Sequence, residues 1–203
     1  MSVEDLRSAL AKQMCEALKM MYLKGLVTPL TGNISVRVGD TILRTPSSWG
    51  PIARLKYELN PDDIVVVDLG GRVIRGGKPS SELPMHLEIY RSCQNCNAVV
   101  HIHGVFAPML EPGEDLYLDV ELKYAKTRIC FVDEYTPGSV ELAKAVARKA
   151  AEGCQIIYLK NHGIVATASN LAMALELAEA AEIIATRTFI SRILRYLERG
   201  KQA

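Results

Sequence analysis

Charge of one sign is not in excess here: Lys plus Arg number 24 and Asp plus Glu 23, a formal net charge of +1 over 203 residues. A protein held mainly by nucleic-acid phosphates carries a basic surplus, so nucleic acid is not expected as a partner. Long apolar runs are missing too. None approaches the ~18 to 20 residues that span a bilayer, and Met1 to Asp5 is acidic where a signal peptide starts basic, so no membrane partner is expected. Cysteines are only five, Cys15, Cys93, Cys96, Cys130 and Cys154. Their odd number and scatter argue against a disulfide framework and make the cytoplasm the default location. Cys93-Gln94-Asn95-Cys96 has no second pair or histidine nearby and reads as a helix end and loop. Nucleotide loops are absent: Arg72 stands where a P-loop ending in Gly77-Lys78 needs its first glycine, and Pro79 where it needs Ser or Thr. There is no internal repeat and no low-complexity segment. Histidine, at four residues, is the scarcest informative type.

What is present suffices for one sizeable core, so residues 1–203 are read as a single domain. Apolar residues from Leu6 to Tyr22 recur at three and four, which predicts a helix from Val3 to Leu26 ending near Gly25. Ile34 to Val38 alternates, Gly39-Asp40 turns, and Thr41 to Leu43 continues, predicting a hairpin. Ile64 to Asp68 and Arg72 to Ile74 form a second strand pair about Gly70-Gly71. Ser80 or Ser81 is expected to cap a helix from Glu82 to about Arg91, with Pro84 tolerated in its first turn. Strands follow at Ala98 to His103 and near Ile129 to Val132, then a helix from Ser139 to about Glu152. Gln155 to Leu159 and Ile164 to Thr167 should pair around Lys160 to Gly163. A long helix, Asn170 to about Arg199, ends the pattern. Hairpin-joined strands interleaved with helices predict an α/β domain with a mixed, largely antiparallel sheet flanked by helices.

His101-Ile102-His103 is the sharpest local feature. Residues two apart on a strand share a face, so two neutral imidazoles can meet one metal; the alternative is one buried, hydrogen-bonded histidine and one surface residue. His162, beside Gly163 between two strands, is either a turn histidine or a third ligand. As a third ligand it would complete a three-histidine set with an open coordination position, the catalytic pattern. Glu82 at a helix start is a metal ligand, a general base, or an acid favoured by the helix dipole. His86, one turn on, is a satisfied core histidine or a partner of Glu82. Three small hydroxyl-rich turns, Thr31-Gly32-Asn33, Thr45-Pro46-Ser47-Ser48 and Ser80-Ser81, have the amides and hydroxyls that cradle phosphate if they converge.

In order and spacing, Thr31 to Arg37, Thr45-Pro46-Ser47, Pro79 to Glu82 with His86 and Tyr90, Val99 to His103, and Asn161-His162-Gly163 resemble the class II aldolase/adducin family. The likeness is greatest to its L-fuculose-1-phosphate aldolase branch and runs from about residue 5 to residue 190. The resemblance implies a three-layer fold and a site in which His101, His103 and His162 bind Zn2+ or another divalent transition metal. It makes Glu82 the acid/base residue, and Gly32, Asn33, Ser47, Ser48, Ser80 and Ser81 the phosphate positions. Ser48 stands where the aldolases often carry glycine. A tyrosine reaching in from a neighbouring subunit falls on Tyr124 or Tyr117. The implied reaction is reversible cleavage of a ketose 1-phosphate to glycerone phosphate and an aldehyde through a metal-stabilised enediolate, by a cytoplasmic homo-oligomer, a tetramer. Alternatives within the family are an L-ribulose-5-phosphate 4-epimerase or related sugar-phosphate lyase; a non-catalytic module like the adducin head would have no need of all three histidines and Glu82.

Overall fold

The computed structural model describes residues 2–49 and 54–200. Eight strands form one sheet: β1 (Asn33–Val38), β2 (Thr41–Arg44), β3 (Val65–Asp68), β4 (Val73–Arg75), β5 (Ala98–Ile102), β6 (Ile129–Val132), β7 (Ile156–Leu159) and β8 (Gly163–Ala168), in the order β4-β3-β2-β1-β5-β8-β7-β6. Every pairing is antiparallel except β6 with β7. The helices are α1 (Val3–Leu23), α2 (Leu83–Ser92), the short α3 (Val120–Tyr124), α4 (Val140–Ala151) and α5 (Leu171–Gly200).

The period-2 alternation of the strands divides the core in two. Ile34, Val36, Leu43, Ala98, Val100 and Ile102 join the cluster holding α1 and α5, whereas Ile42, Val65, Val67, Val99 and Val165 join the cluster holding α2 and α4. The outcome is helices, sheet, helices, as expected. Near the centre of the α2 side the apolar pattern breaks, and Asn33, Ser35, Arg44 and His101 are all buried there. Register explains their meeting: Ser35 pairs with Arg44 and Asn33 with His101 across adjacent strands, so these side chains stand in a row on one face.

Three expectations need correction. Ser80 and Ser81 do not cap α2: Glu82 occupies the N-cap position with no side-chain cap bond, so the serine hydroxyls are not spent on the helix. α3 is an element the alternation did not reveal. Lastly, four of the five cysteines pair, Cys93 with Cys96 and Cys130 with Cys154, leaving Cys15 free. Linear spacing could not show the second pair, since it joins β6 to the end of the turn after α4, brought together by the parallel β6–β7 pairing. No helix among the described residues is long and apolar enough to cross a membrane.

Candidate active site

The end of β5, the β7–β8 turn and the start of α2 converge on one cavity of about 180 Å³, whose walls include Thr31, Gly32, Asn33, Ser47, Ser48, Lys56, Ser80, Ser81, Glu82, His103 and His162. Every phosphate position named from the sequence is on this wall, together with Glu82 and two of the three histidines.

His101 ends the buried run of β5, and His103 follows once the backbone is held by the bond from its N–H to Leu26 O at 3.0 Å. His162 arrives from the β7–β8 turn, where Asn161 takes a positive φ of 56°. Gly163 makes the close approach possible: a Cβ there would lie 2.1 Å from Ile102 O. Gly163→Ala should therefore cost roughly 1–3 kcal/mol and loosen the histidine cluster; a thermal melt together with a metal titration checks both. On the far side, the Glu182 carboxylate of α5 accepts from the N–H groups of Phe106 (2.8 Å) and Ala107 (3.1 Å), fixing the loop that leaves His103.

The ring centroids of His101, His103 and His162 are 4.6, 4.9 and 5.0 Å apart. One ligand atom from each lies within 4.8 Å of the others. Their protonation suits a cation. His101 Nδ1 donates to Ile164 O at 2.8 Å, which leaves Nε2 as the lone-pair nitrogen. Burial first, and then the neighbouring imidazole of His162, hold His101 down to about 3. Burial likewise lowers His103 to about 3 and lowers His162. These rings are neutral at physiological pH, as metal ligands must be.

Glu82 is buried with its Oε2 3.1 Å from His101 Nε2 and its Oε1 3.7 Å from His162 Nε2. Among the described residues neither carboxylate oxygen has a hydrogen-bond partner, and neither has His101 Nε2. A carboxylate facing an unprotonated imidazole nitrogen sets two acceptors against each other at low dielectric, which is unfavourable without a positive charge between them. The donor set thus fits a divalent cation: three neutral imidazoles with an anionic oxygen alongside.

His86 proves to be a core residue. It is fully buried, with Nδ1 2.6 Å from Ser35 Oγ and both ring nitrogens within 2.9 Å of Arg44 Nη1. Ser35 Oγ continues to Tyr90 OH at 2.8 Å. Burial and the Arg44 cation hold His86 well below its usual value. Two buried cations, Arg44 and Lys56, were not among the sequence candidates; burial is the signal that marks them, and neither the β2 pattern nor the Leu55 to Leu59 stretch announces it. Tyr117 and Tyr124 do not line the cavity, and they are 58% and 84% exposed.

Residues 12–188 match the class II aldolase and adducin N-terminal domain family, and this chain belongs to that family. L-fuculose phosphate aldolase of Methanocaldococcus jannaschii is 35% identical over 186 residues, covering 91% of this chain and 98% of that protein. A 3-oxo-tetronate 4-phosphate decarboxylase of Pectobacterium atrosepticum is 34% identical over 186 residues, covering 87% of this chain and 83% of its own. The crystal structure of L-fuculose-1-phosphate aldolase from Thermus thermophilus superimposes with a TM-score of 0.76 at 25% identity, covering 94% of this chain and 96% of that one.

Proposed function

We propose that this protein is a divalent-metal-dependent aldolase that cleaves a ketose 1-phosphate of the L-fuculose 1-phosphate type, reversibly, to glycerone phosphate and an aldehyde. The observation that carries the reading is the juxtaposition, at one cavity, of a cluster of three neutral imidazoles of which two reach the wall, a buried carboxylate without a partner among the described residues, and a wall of hydroxyls and amides.

His101, His103 and His162 are the proposed ligands. A divalent cation held there would supply positive charge to the oxygens of the substrate; zinc is proposed, and other transition ions also suit imidazole. The chain's own residues do the rest. Gly32, Asn33, Ser47, Ser48, Ser80 and Ser81 bind the phosphate and so hold the sugar with its scissile bond near the histidines. Loss of the proton on the hydroxyl beyond that bond lets the aldehyde form as the carbon-carbon bond breaks. The electron pair stays with the three-carbon fragment as an enediolate. Glu82, in its protonated form, delivers a proton to the carbon left by the departing aldehyde, giving glycerone phosphate, and takes it back in the condensation direction. A tyrosine, Tyr124 or Tyr117, exchanges the hydroxyl proton of the aldehyde half. Because both are exposed away from their own cavity, this proton exchange is assigned to a tyrosine of a second copy. Ile190, Ile193, Leu194 and Leu197 of α5 are exposed at spacings of three, four and seven, an apolar stripe that supports a homo-oligomer, with a tetramer as the proposed state.

The Pectobacterium relative favours a second reading, a sugar-phosphate decarboxylase using the same ligands and phosphate wall. The proposal is tested by assaying purified protein for glycerone phosphate release from fuculose, rhamnulose and ribulose 1-phosphates, beside decarboxylation of a 3-oxo-tetronate 4-phosphate and epimerisation of ribulose 5-phosphate. Release from a ketose 1-phosphate at the highest kcat/KM is expected; turnover confined to the decarboxylation or epimerisation arm would overturn the aldolase reading.

A further inference from the structure

At the hydroxyl wall the protein buries two cations, Arg44 and Lys56; the Glu82 carboxylate acts on Arg44 and favours its charged form, whereas among the described residues no carboxylate does so for Lys56. Arg44 is 0% exposed; its Nη1 donates to Asn33 Oδ1 at 2.9 Å, and its Nε and Nη2 have no hydrogen-bond partner among the described residues. Lys56, in the turn Lys56–Glu58, is 3% exposed and lines the cavity, yet among the described residues its only hydrogen bond from Nζ is to Pro46 O at 2.9 Å. Neither cation forms an ion pair with a carboxylate among the described residues. Ser48 Oγ, on the same cavity, is buried without a partner among the described residues. Buried charges in proteins are normally paired, because leaving water costs several kcal/mol for each ion. Two adjacent buried cations, an idle hydroxyl and an amide whose oxygen is already engaged by Arg44 together describe the host of an anion.

We propose that Lys56 is the charged anchor of an oxyanion subsite in this cavity, donating to a phosphate monoester dianion together with Ser48 Oγ and the Asn33 Nδ2 amide, while Arg44 acts from behind as a positioning residue for Asn33. The nature of the physiological ligand, a sugar phosphate, rests on the aldolase reading; the subsite itself does not. The anion supplies the counter-charge that Lys56 lacks among the described residues, and the charge-assisted bond from Nζ is stronger than one from a neutral hydroxyl.

Binding by such a lysine is linked to protons. Burial, and secondarily the Arg44 charge, push Lys56 down to about 7 from its ordinary 10.5. The other titratable groups on the cavity walls are Glu82, His103 and His162, of which the imidazoles are held below their usual value. Tyr57 and Glu58 flank Lys56 on its own turn, and Tyr57 stacks on Tyr22 of α1. Near pH 7 the free lysine is partly deprotonated, and a bound dianion draws the proton back. Affinity is therefore greatest below about pH 7 and falls as pH rises beyond it. The ligand-free fold is expected to have the opposite slope: between about 7 and 10.5 the unfolded chain binds the extra proton, so this group's contribution to stability rises with pH.

Sulfate is the appropriate probe, because it stays a dianion throughout this range. Calorimetric titration of the metal-loaded protein with sulfate from pH 7 to 9 should show affinity falling by up to about tenfold per pH unit. Lys56→Met should bind sulfate at least roughly 30-fold more weakly at pH 7, lose that pH dependence, and melt no lower than wild type in sulfate-free buffer, since a buried unpaired charge has been removed. A wild-type affinity that is flat with pH, or a Lys56→Met protein binding within threefold of wild type, would overturn the proposal. The wild-type profile decides the matter even if the variant folds poorly. Sulfate binding that follows Lys56 in a protein inert toward every ketose 1-phosphate would retain the anion subsite and remove the aldolase reading; the converse pattern would do the reverse.

Discussion

Glu82→Gln is expected to yield a folded, metal-loaded protein whose kcat is lower by roughly 10² to 10⁴, the usual contribution of a positioned acid/base group. Glutamine matches glutamate in shape and keeps the cavity filled, but it cannot carry the proton between solvent, enediolate and product. The three imidazole ligands come from β5, the residue just after it and the β7–β8 turn, none of which depends on the α2 N-cap position, so metal content should stay at the wild-type level. Binding of the substrate phosphate, through serines and Asn33, should also persist, leaving KM within a few-fold. Steady-state kinetics with metal analysis on the same preparation separates these outcomes. Wild-type turnover in the variant would remove Glu82 from the chemistry.

Removing His101 should have the larger effect on the metal. The residue is fully buried, its Nδ1 is fixed by Ile164 O, and its Nε2 is the lone pair nearest Glu82. Changing the outer partners of a ligand costs 10- to 100-fold in metal affinity; deleting the ligand itself should exceed that, so His101→Ala is expected to purify without stoichiometric metal and without activity. His86→Ala is the informative contrast. It also deletes a buried imidazole, one whose ring nitrogens lie against Ser35 Oγ and Arg44 Nη1 and are not among the three that could share a metal. It should lose stability yet retain metal. Equal loss of metal in both variants would show that general damage to the core, and not ligation, accounts for the His101 result.

Much of the framework was readable from residue order because the deciding features are local. Gly39-Asp40 between alternating strands specifies the β1–β2 hairpin, and Asn170 precedes a helix whose Met173 N–H it caps at 3.0 Å. His-x-His at a strand end marks two of the three clustered histidines by geometry alone; His162 stays open between a turn residue and a third ligand until the family resemblance makes it a ligand. What remained hidden depends on tertiary placement. Arg44 sits on a strand where a charged residue ordinarily marks an exposed face, and only the Ser35–Arg44 register and the covering helix α2 make it buried. Lys56 follows a stretch that includes residues 50–53, outside the described residues, and its burial arises from contact between elements far apart in sequence. The Cys130–Cys154 pair depends on a parallel strand pairing that spacing does not encode. Ser80 and Ser81 carried a true signal with the wrong local use: they border a helix start, but their hydroxyls line the cavity, with no side-chain cap on the helix.

Net charge near zero also takes on a different meaning beside the structure. An anionic small molecule needs positive charge at one place, not over the surface, and Lys56 on the cavity wall with Arg44 buried behind Asn33 places it there.

The central claim is that one cavity joins a metal held by three histidines to cleavage of a phosphorylated ketose. The most direct measurement is glycerone phosphate release from L-fuculose 1-phosphate by purified protein, by protein stripped with a chelator, and by stripped protein resupplied with zinc. Release that stops on stripping and returns with zinc is the predicted result. Protein that purifies without a divalent ion and gives no glycerone phosphate from fuculose, rhamnulose or ribulose 1-phosphate after zinc is added would contradict it.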